Sequence, residues 1–134
     1  MILLIDSSGY DQLHFALIDD QKTSGNVVDQ KIKITYPETQ KTLGYLDKFL
    51  TKKKVSLDGI TKLVVVSGPG SFTGIRVGIS MSLAFSFAKD IPLYSITKDK
   101  LPKNLNLLAK VRLKKIDSSF DPEYGAEPNI TKST

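Results

Sequence analysis

A glycine-rich turn between an apolar run and a helix-like segment is the feature that most restricts the fold of this chain. The apolar run KLVVVS at residues 62–67 is typical of a strand covered on both faces of a sheet. The turn then reads GPGSFTG, and apolar residues fall on every second position from 75 to 87. We interpret 73–89 as a helix, because a strand of about 13 residues would be too long. The turn therefore predicts a strand-turn-helix unit in an α/β domain.

The helix predicted at 73–89 carries two apolar stripes with small residues between them. A helix with two apolar sides is buried on two sides. One side should cover the sheet, and the other should meet something that this small domain does not supply. At about 100° per residue, the stripes are Ile75, Ile79 and Leu83, and Val77, Met81 and Phe85.

Four further strands and one helix are predicted from periodicity. Pro37 stops the sheet and suits the first turn of a helix at 38–54, where Leu43, Leu46 and Leu50 share one face. The order β-β-β-α-β-α-β is that of the ribonuclease-H-like architecture, a mixed five-stranded sheet with the first strand central and helices on both faces. The predicted strands are 2–6, 13–19, 27–36, 62–67 and 91–97.

We predict one domain over residues 1–97 and a C-terminal extension over 98–134. Within the extension, LNLLAKVRLKK at 105–115 fits either a short helix or a strand. The final residues are turn-rich and are expected to form a loosely attached tail.

Composition excludes several kinds of site. Without cysteine there is no disulfide, thiol chemistry or thiolate zinc site. The single histidine, His14, lies in an alternating stretch typical of a half-exposed structural residue. No apolar run reaches the roughly 18 to 20 residues that span a bilayer, and MILLIDSS lacks the basic start of a signal peptide. We therefore expect a cytoplasmic protein with no metal and no membrane contact.

The net charge of +5 is concentrated toward the C-terminus. Residues 98–134 hold eight Lys/Arg and five Asp/Glu, which gives +3. Such a segment fits an anionic partner such as RNA. It also fits solvated surface lysines, since aromatic residues are not interleaved with the cations. A basic RNA-binding module would use Lys103, Lys110, Arg112, Lys114 and Lys115.

A phosphate site is not predicted at the glycine turn. The spacing from Gly68 to Gly74 is one residue too long for a P-loop, and no Lys-Ser/Thr pair follows. The dinucleotide fingerprint also fails, although free N–H groups at the start of any such helix attract anions. We favour a structural role, in which glycines allow unusual angles and close packing and a hydroxyl caps the helix. The residues concerned are Gly68, Gly70, Ser71, Thr73, Gly74 and Gly78.

No catalytic constellation is predicted. A ribonuclease-H-type site needs several carboxylates around metal ions, and only Asp6 and Glu38 are well placed. The fourth strand, which should end in a further carboxylate, ends at Ser67 and Gly68. The enzyme alternative is a single-lobe metal-dependent hydrolase or nuclease that uses Asp6 and Glu38.

At the glycine turn the chain resembles the TsaB (YeaZ) family. Residues 68–78 match the family's G-P-G-S-F-T-G-[LIV]-R-[IV]-G block. The opening ILLIDSSGYDQLHFALID is similar to the family's I-D-[TS]-S start and following strand, and PETQKTLGYLDKFL stands where its first helix does. The resemblance covers residues 1–97, and the ending DPEYGAEPNITK is similar to the family's P-x-Y…P-N-x-T-K tail.

This resemblance implies an actin-like ATPase fold without catalysis of its own. Family members are accessory subunits of the bacterial machinery that makes N6-threonylcarbamoyladenosine in tRNA. They bind a catalytic TsaD-type paralogue through the first two helices of each partner, and they self-associate as dimers through a similar surface. A TsaE-type ATPase is implied as a third member, and contact with tRNA would be indirect, through the complex.

The chain departs from the family in length. A usual member has a second lobe after the fifth strand, whereas only residues 98–134 follow here. We expect a single-lobe protein that lacks the second lobe and keeps the tail. An actin-like fold clamps ATP between two lobes, so no nucleotide cofactor is expected.

The docking residues that the resemblance implies lie on the two predicted helices. They supply the apolar surface that a partner would cover, and the sequence leaves open which stripe of the second helix meets it. They are Leu43, Tyr45, Leu46, Phe49, Leu50, Ile75, Val77, Ile79, Met81, Leu83 and Phe85.

Overall fold

The computed structural model describes residues 1–20, 27–35 and 41–116. Their strands form one mixed sheet in the order β3-β2-β1-β4-β5-β6. The strands are β1 (Ile2–Asp6), β2 (Gln12–Ile18), β3 (Val27–Lys33), β4 (Lys62–Val66), β5 (Leu93–Ile96) and β6 (Lys114–Lys115). The α-helices are α1 (Thr42–Lys52) and α2 (Phe72–Lys89), and short 3-10 helices span Leu57–Gly59, Lys98–Lys100 and Leu105–Lys110.

The predicted order of strands and helices is confirmed, with β1 in the middle of the sheet. β1 pairs antiparallel with β2 and parallel with β4. All five of its residues are buried, as expected for a strand covered on both faces. The sheet has one strand more than predicted, because two residues of the ambiguous 105–115 stretch pair antiparallel with β5 as β6.

Both α-helices cover the same face of the sheet. Leu3 and Ile5 of β1 point to this face, and Ile75 and Ile79 of α2 pack in the same cluster. The ring of Phe49 in α1 lies with its centroid 5.8 Å from that of Phe15 in β2. This layer forms the larger part of the described core.

The opposite face is covered by the 3-10 helix Leu105–Lys110. Ile2 and Leu4 of β1 point to this face and cluster with Leu105 and Leu108. Both faces therefore carry helical cover, as predicted, but a single short 3-10 helix takes the place of an α-helix on one of them. Residues 98–116 thus complete the fold begun by residues 1–97.

Several predicted features lie outside the described residues. These are residues 21–26 between the second and third predicted strands, the start of the first helix with Pro37 and Glu38, and the tail from 117 onward. In the described part of the chain, no helix is both long and apolar enough to cross a membrane.

Two side chains on α1 provide a test of this packing. Phe49 is 1% exposed and Leu43 is 54% exposed. Phe49→Ala should lower the free energy of unfolding by about 3–5 kcal/mol, because it removes a buried ring and leaves a cavity. Leu43→Ala should change it by only about 0.5 kcal/mol. Urea unfolding of both variants measures the difference. An equal decrease in the free energy of unfolding in both variants would contradict the burial of Phe49 and the exposure of Leu43.

Candidate functional site

The glycine turn holds the loop after β1 against the start of α2. The backbone N–H of Ser71 donates to the carbonyl of Ser8 at 2.8 Å, and the hydroxyl of Ser7 donates to the carbonyl of Gly74 at 2.6 Å. Both serines are buried. The turn therefore joins two neighbouring strands of the sheet, β1 and β4, at their carboxyl ends.

Three glycines are needed because the loop after β1 lies so close to the glycine turn and to the first turns of α2. A Cβ atom at Gly70 would overlap the carbonyl oxygen of Ser8, and one at Gly74 would overlap that of Ser7. A Cβ atom at Gly78 would meet the Ser7 hydroxyl. Ser7 and Ser8 therefore lie directly against these glycines.

The ends of the turn are fixed by local geometry. Gly68 has φ 125°, in the region that favours glycine. Ser71 is the N-cap of α2, and its hydroxyl accepts from the N–H of Gly74 at 3.1 Å. At the far end, Asp90 stops the helix in a left-handed conformation.

Asp6, the carboxylate expected to serve an enzyme, is fully engaged within the fold. It is 3% exposed. One carboxylate oxygen accepts from the N–H and hydroxyl of Ser8, at 3.0 and 2.5 Å, and the other accepts from the ammonium of Lys98 at 2.6 Å. A side-chain cation therefore balances the charge of this carboxylate.

The neighbourhood of Lys98 includes one acidic residue with a shifted pKa. The hydroxyl of Thr97 is the main cause that lowers the pKa of Asp99 below its usual value, helped by Asp99's own backbone and by Lys100. Asp99 stands between Lys98 and Lys100 in the sequence, and its negative charge offsets part of theirs.

The described residues contain no metal-binding constellation. Within 1–20, 27–35 and 41–116, no group of three or more His, Cys, Asp or Glu side chains could hold an ion. Glu38 lies outside this part of the chain. His14 is bound instead to Asp29 across the β2–β3 pair, with 2.7 Å between Nε2 and a carboxylate oxygen.

The structure divides the eleven docking residues implied by the sequence into three groups. Five are in the core and cannot reach a partner while the domain is folded: Leu46, Phe49, Leu50, Ile75 and Ile79. Four are half-buried: Tyr45, Val77, Met81 and Phe85. Two are exposed, Leu43 and Leu83. The buried members already pack against the sheet, and the docking interface itself stays a prediction.

Phe87, outside that set, is the most exposed large apolar residue of the described chain, at 93%. It lies one turn beyond Leu83, which is 41% exposed. The row Ile75, Ile79, Leu83, Phe87 drifts by about 40° at each step of four residues, since a helix has 3.6 residues per turn. The stripe that begins on the sheet therefore ends facing outward. Extending the stripe by four residues would have revealed Phe87.

The outer face of α2 is apolar over most of its length. No charged residue occurs between Arg76 and Lys89, and the small side chains Ala84 and Ala88 are exposed beside Phe87. Between α1 and α2 lies a groove of about 420 Å³, which includes Leu43 and Phe85. We call Leu43, Leu83, Phe85 and Phe87 the helix-face patch.

The fold defines the class of protein, one lobe of the actin-like, ribonuclease-H-like type. YeaZ from Pseudomonas aeruginosa superposes with a TM-score of 0.61 at 24% identity, over 72% of this chain and 43% of that chain. RuvC from T. thermophilus, solved with a Holliday junction substrate, gives a TM-score of 0.52 at 10% identity, over 86% and 98%. Both show the fold alone.

The sequence is similar to TsaB proteins over part of its length, as expected from the glycine turn. It is 26% identical to the tRNA threonylcarbamoyladenosine biosynthesis protein TsaB of Bacillus subtilis (strain 168) over 96 residues, which are 72% of this chain. Residues 38–98 match the family model of TsaD, described as tRNA N6-adenosine threonylcarbamoyltransferase. The matched part spans 40% of the length of the B. subtilis protein.

The packing of the glycine turn can be tested with two glycine substitutions. Gly74→Ala should lower stability by about 1–3 kcal/mol or more, because the added methyl group meets a backbone carbonyl. Gly44→Ala, in α1 with nothing within 4 Å of the added atom, should raise stability by about 0.5–1 kcal/mol through helix propensity. Thermal unfolding reports both, and a stabilised Gly74→Ala would contradict the close approach described here.

Proposed function

We propose that this chain is a non-catalytic scaffold subunit in the synthesis of N6-threonylcarbamoyladenosine in tRNA, and that it docks on a TsaD-type catalytic protein. The similarity to TsaB and to the TsaD family model supports a role in N6-threonylcarbamoyladenosine synthesis. The helix-face patch supports docking on a protein partner. A TsaE-type ATPase as a third member and a homodimer in the absence of the partner stay predictions.

The observation that carries the docking proposal is the exposure of Phe87 and Leu83. A phenylalanine that is 93% exposed loses most of the hydrophobic free energy that its burial would supply, about 1.5–3 kcal/mol. The residue lies one helical turn from Leu83, so the two side chains form a continuous contact surface. A protein partner that covers α2 would recover that free energy.

The groove between α1 and α2 gives the patch a defined edge. Lys89 of α2 pairs with Asp58 at 3.2 Å, and both residues border the groove with Leu43 and Phe85. An apolar centre with a charged rim is the usual anatomy of a protein interface. A partner helix laid along α2 would meet apolar side chains at its centre and this ion pair at its rim.

The absence of catalysis is proposed from the state of Asp6. Its carboxylate is held by Lys98 and Ser8, so a metal ion would have to displace an ammonium group that is already in contact. The hydrolase alternative is therefore disfavoured, although the fold is shared with RuvC. Nucleotide binding is not proposed either, because Ser7 and Ser8 occupy the glycine turn.

Charge introduced into the helix-face patch should weaken docking. Phe87→Glu and Leu83→Glu should each weaken binding by about 2 kcal/mol or more, as expected at the centre of an interface, roughly thirtyfold in affinity. Val28→Glu is the matched control, because Val28 is also an exposed apolar residue, at 40%, but belongs to the edge strand β3 and not to α1 or α2. Co-purification with the organism's TsaD homologue, followed by titration, measures the effect.

The outcomes separate docking from folding. All three substitutions are at exposed positions, so circular dichroism and melting temperature should stay close to those of the unaltered protein. Docking that survives Phe87→Glu and Leu83→Glu would overturn the proposed surface. Docking lost equally in Val28→Glu would show that added negative charge, and not the helix-face patch, controls binding.

A further inference from the structure

The net positive charge of this protein comes from one segment. Residues 98–116 contain seven Lys/Arg and one Asp, a net charge of +6, whereas the whole chain carries +5. The rest of the chain therefore has a net charge of −1. Segregation of this kind produces a local positive field that uniformly scattered lysines would not produce.

The segment is held rigidly against the sheet. Leu105 and Leu108 are buried on the face opposite the α-helices, and Ile116 is buried at the edge. Backbone hydrogen bonds fix both ends, from Lys98 N–H to the Gly68 carbonyl at 2.8 Å and from Ile116 N–H to the Leu93 carbonyl at 2.9 Å. The cations between these anchors thus have fixed backbone positions.

Most of these cations have no ion-pair partner among residues 1–20, 27–35 and 41–116. Lys103, Lys110, Arg112 and Lys115 are exposed, and none forms an ion pair with another described residue. Lys98, by contrast, is bound to Asp6. Four exposed cations that are unpaired within the described part of the chain favour an external polyanion. We call these four residues the basic surface.

An aromatic ring lies at the same edge of the sheet. The ammonium of Lys62 is 5.3 Å from the ring centroid of half-buried Tyr94, and Tyr94 pairs with Lys115 across β5 and β6. Directly paired residues point to the same face, so Tyr94 and Lys115 project together. Cations around an aromatic ring are the combination that binds phosphates and stacks bases.

We propose that the basic surface binds the phosphodiester backbone of structured RNA directly, so that this subunit itself contacts the tRNA substrate. The proposal rests on the function proposed above and adds a contact to it. A membrane surface fits less well, because membrane-bound helices need an apolar face toward the lipid. In the 3-10 helix Leu105–Lys110, Leu105 and Leu108 face the core, and Leu107, 44% exposed, is the single large apolar side chain that faces outward.

The location of the basic surface is compatible with docking. The helix-face patch lies on the side of α1 and α2, and the 3-10 helix Leu105–Lys110 covers the other face of the sheet. A catalytic partner and an RNA can therefore occupy the molecule together. The subunit would then raise the affinity of the complex for its substrate by adding phosphate contacts.

The test is a titration of the purified full chain with an unmodified tRNA transcript at several salt concentrations. The variant Lys110→Gln/Arg112→Gln/Lys115→Gln should bind about tenfold more weakly or worse, with a salt dependence reduced by about 0.7–0.9 per lost phosphate contact. The matched control, Lys31→Gln/Lys33→Gln/Lys48→Gln, changes net charge equally at exposed positions of β3 and α1, and should bind within about twofold of the unaltered protein.

Equal weakening in both triple variants, or no binding of tRNA by the unaltered chain at low salt, would overturn the proposal. Binding to anionic phosphatidylserine vesicles that is lost in the first variant, with tRNA binding unchanged, would also overturn it. Docking is read separately by co-purification, where the first variant should retain the partner and Phe87→Glu should retain the RNA. Failure of docking alone would count against the proposed function, and loss of RNA specificity alone against this inference.

Discussion

The contact between the loop after β1 and the glycine turn holds the centre of this domain together. Ser7 and Ser8 hydrogen-bond to Gly74 and Ser71, and this is possible only where side chains are missing at Gly70 and Gly74. The contact sets the position of α2 on the sheet. The orientation of α2 on the sheet determines which of its residues are buried and which face outward.

The two faces of the sheet then acquire different properties. The α-helices bury one side of the core but leave Leu83 and Phe87 exposed. The C-terminal segment closes the other side with Leu105 and Leu108 and displays its cations outward. The proposed functions follow from this division, with an apolar surface suited to a protein on one face and a basic surface suited to RNA on the other.

The periodicity of apolar residues was sufficient to predict the strands and helices but not the exposed residues of the candidate site. Strands β1 and β4 and helix α2 were predicted within one residue of their observed ends, because long apolar runs and glycine punctuation are local signals. The docking residues were predicted less well. Five of the eleven are buried, since a stripe on a helix winds around it and only the packed sheet shows where burial stops. The enzyme alternative was weakened by Lys98, which lies 92 residues from Asp6 along the chain and was not predicted to meet it.

The sequence by itself determined the order of strands and helices, the lack of a phosphate-binding motif and the long uncharged run of α2, because each depends on residues close together in the chain. Tertiary structure alone decided that Phe87 is exposed, that Lys98 neutralises Asp6 and that residues 98–116 cover the second face. These depend on contacts between distant segments. The free energy of such contacts comes from burial and pairing in three dimensions, which no local pattern of residues records.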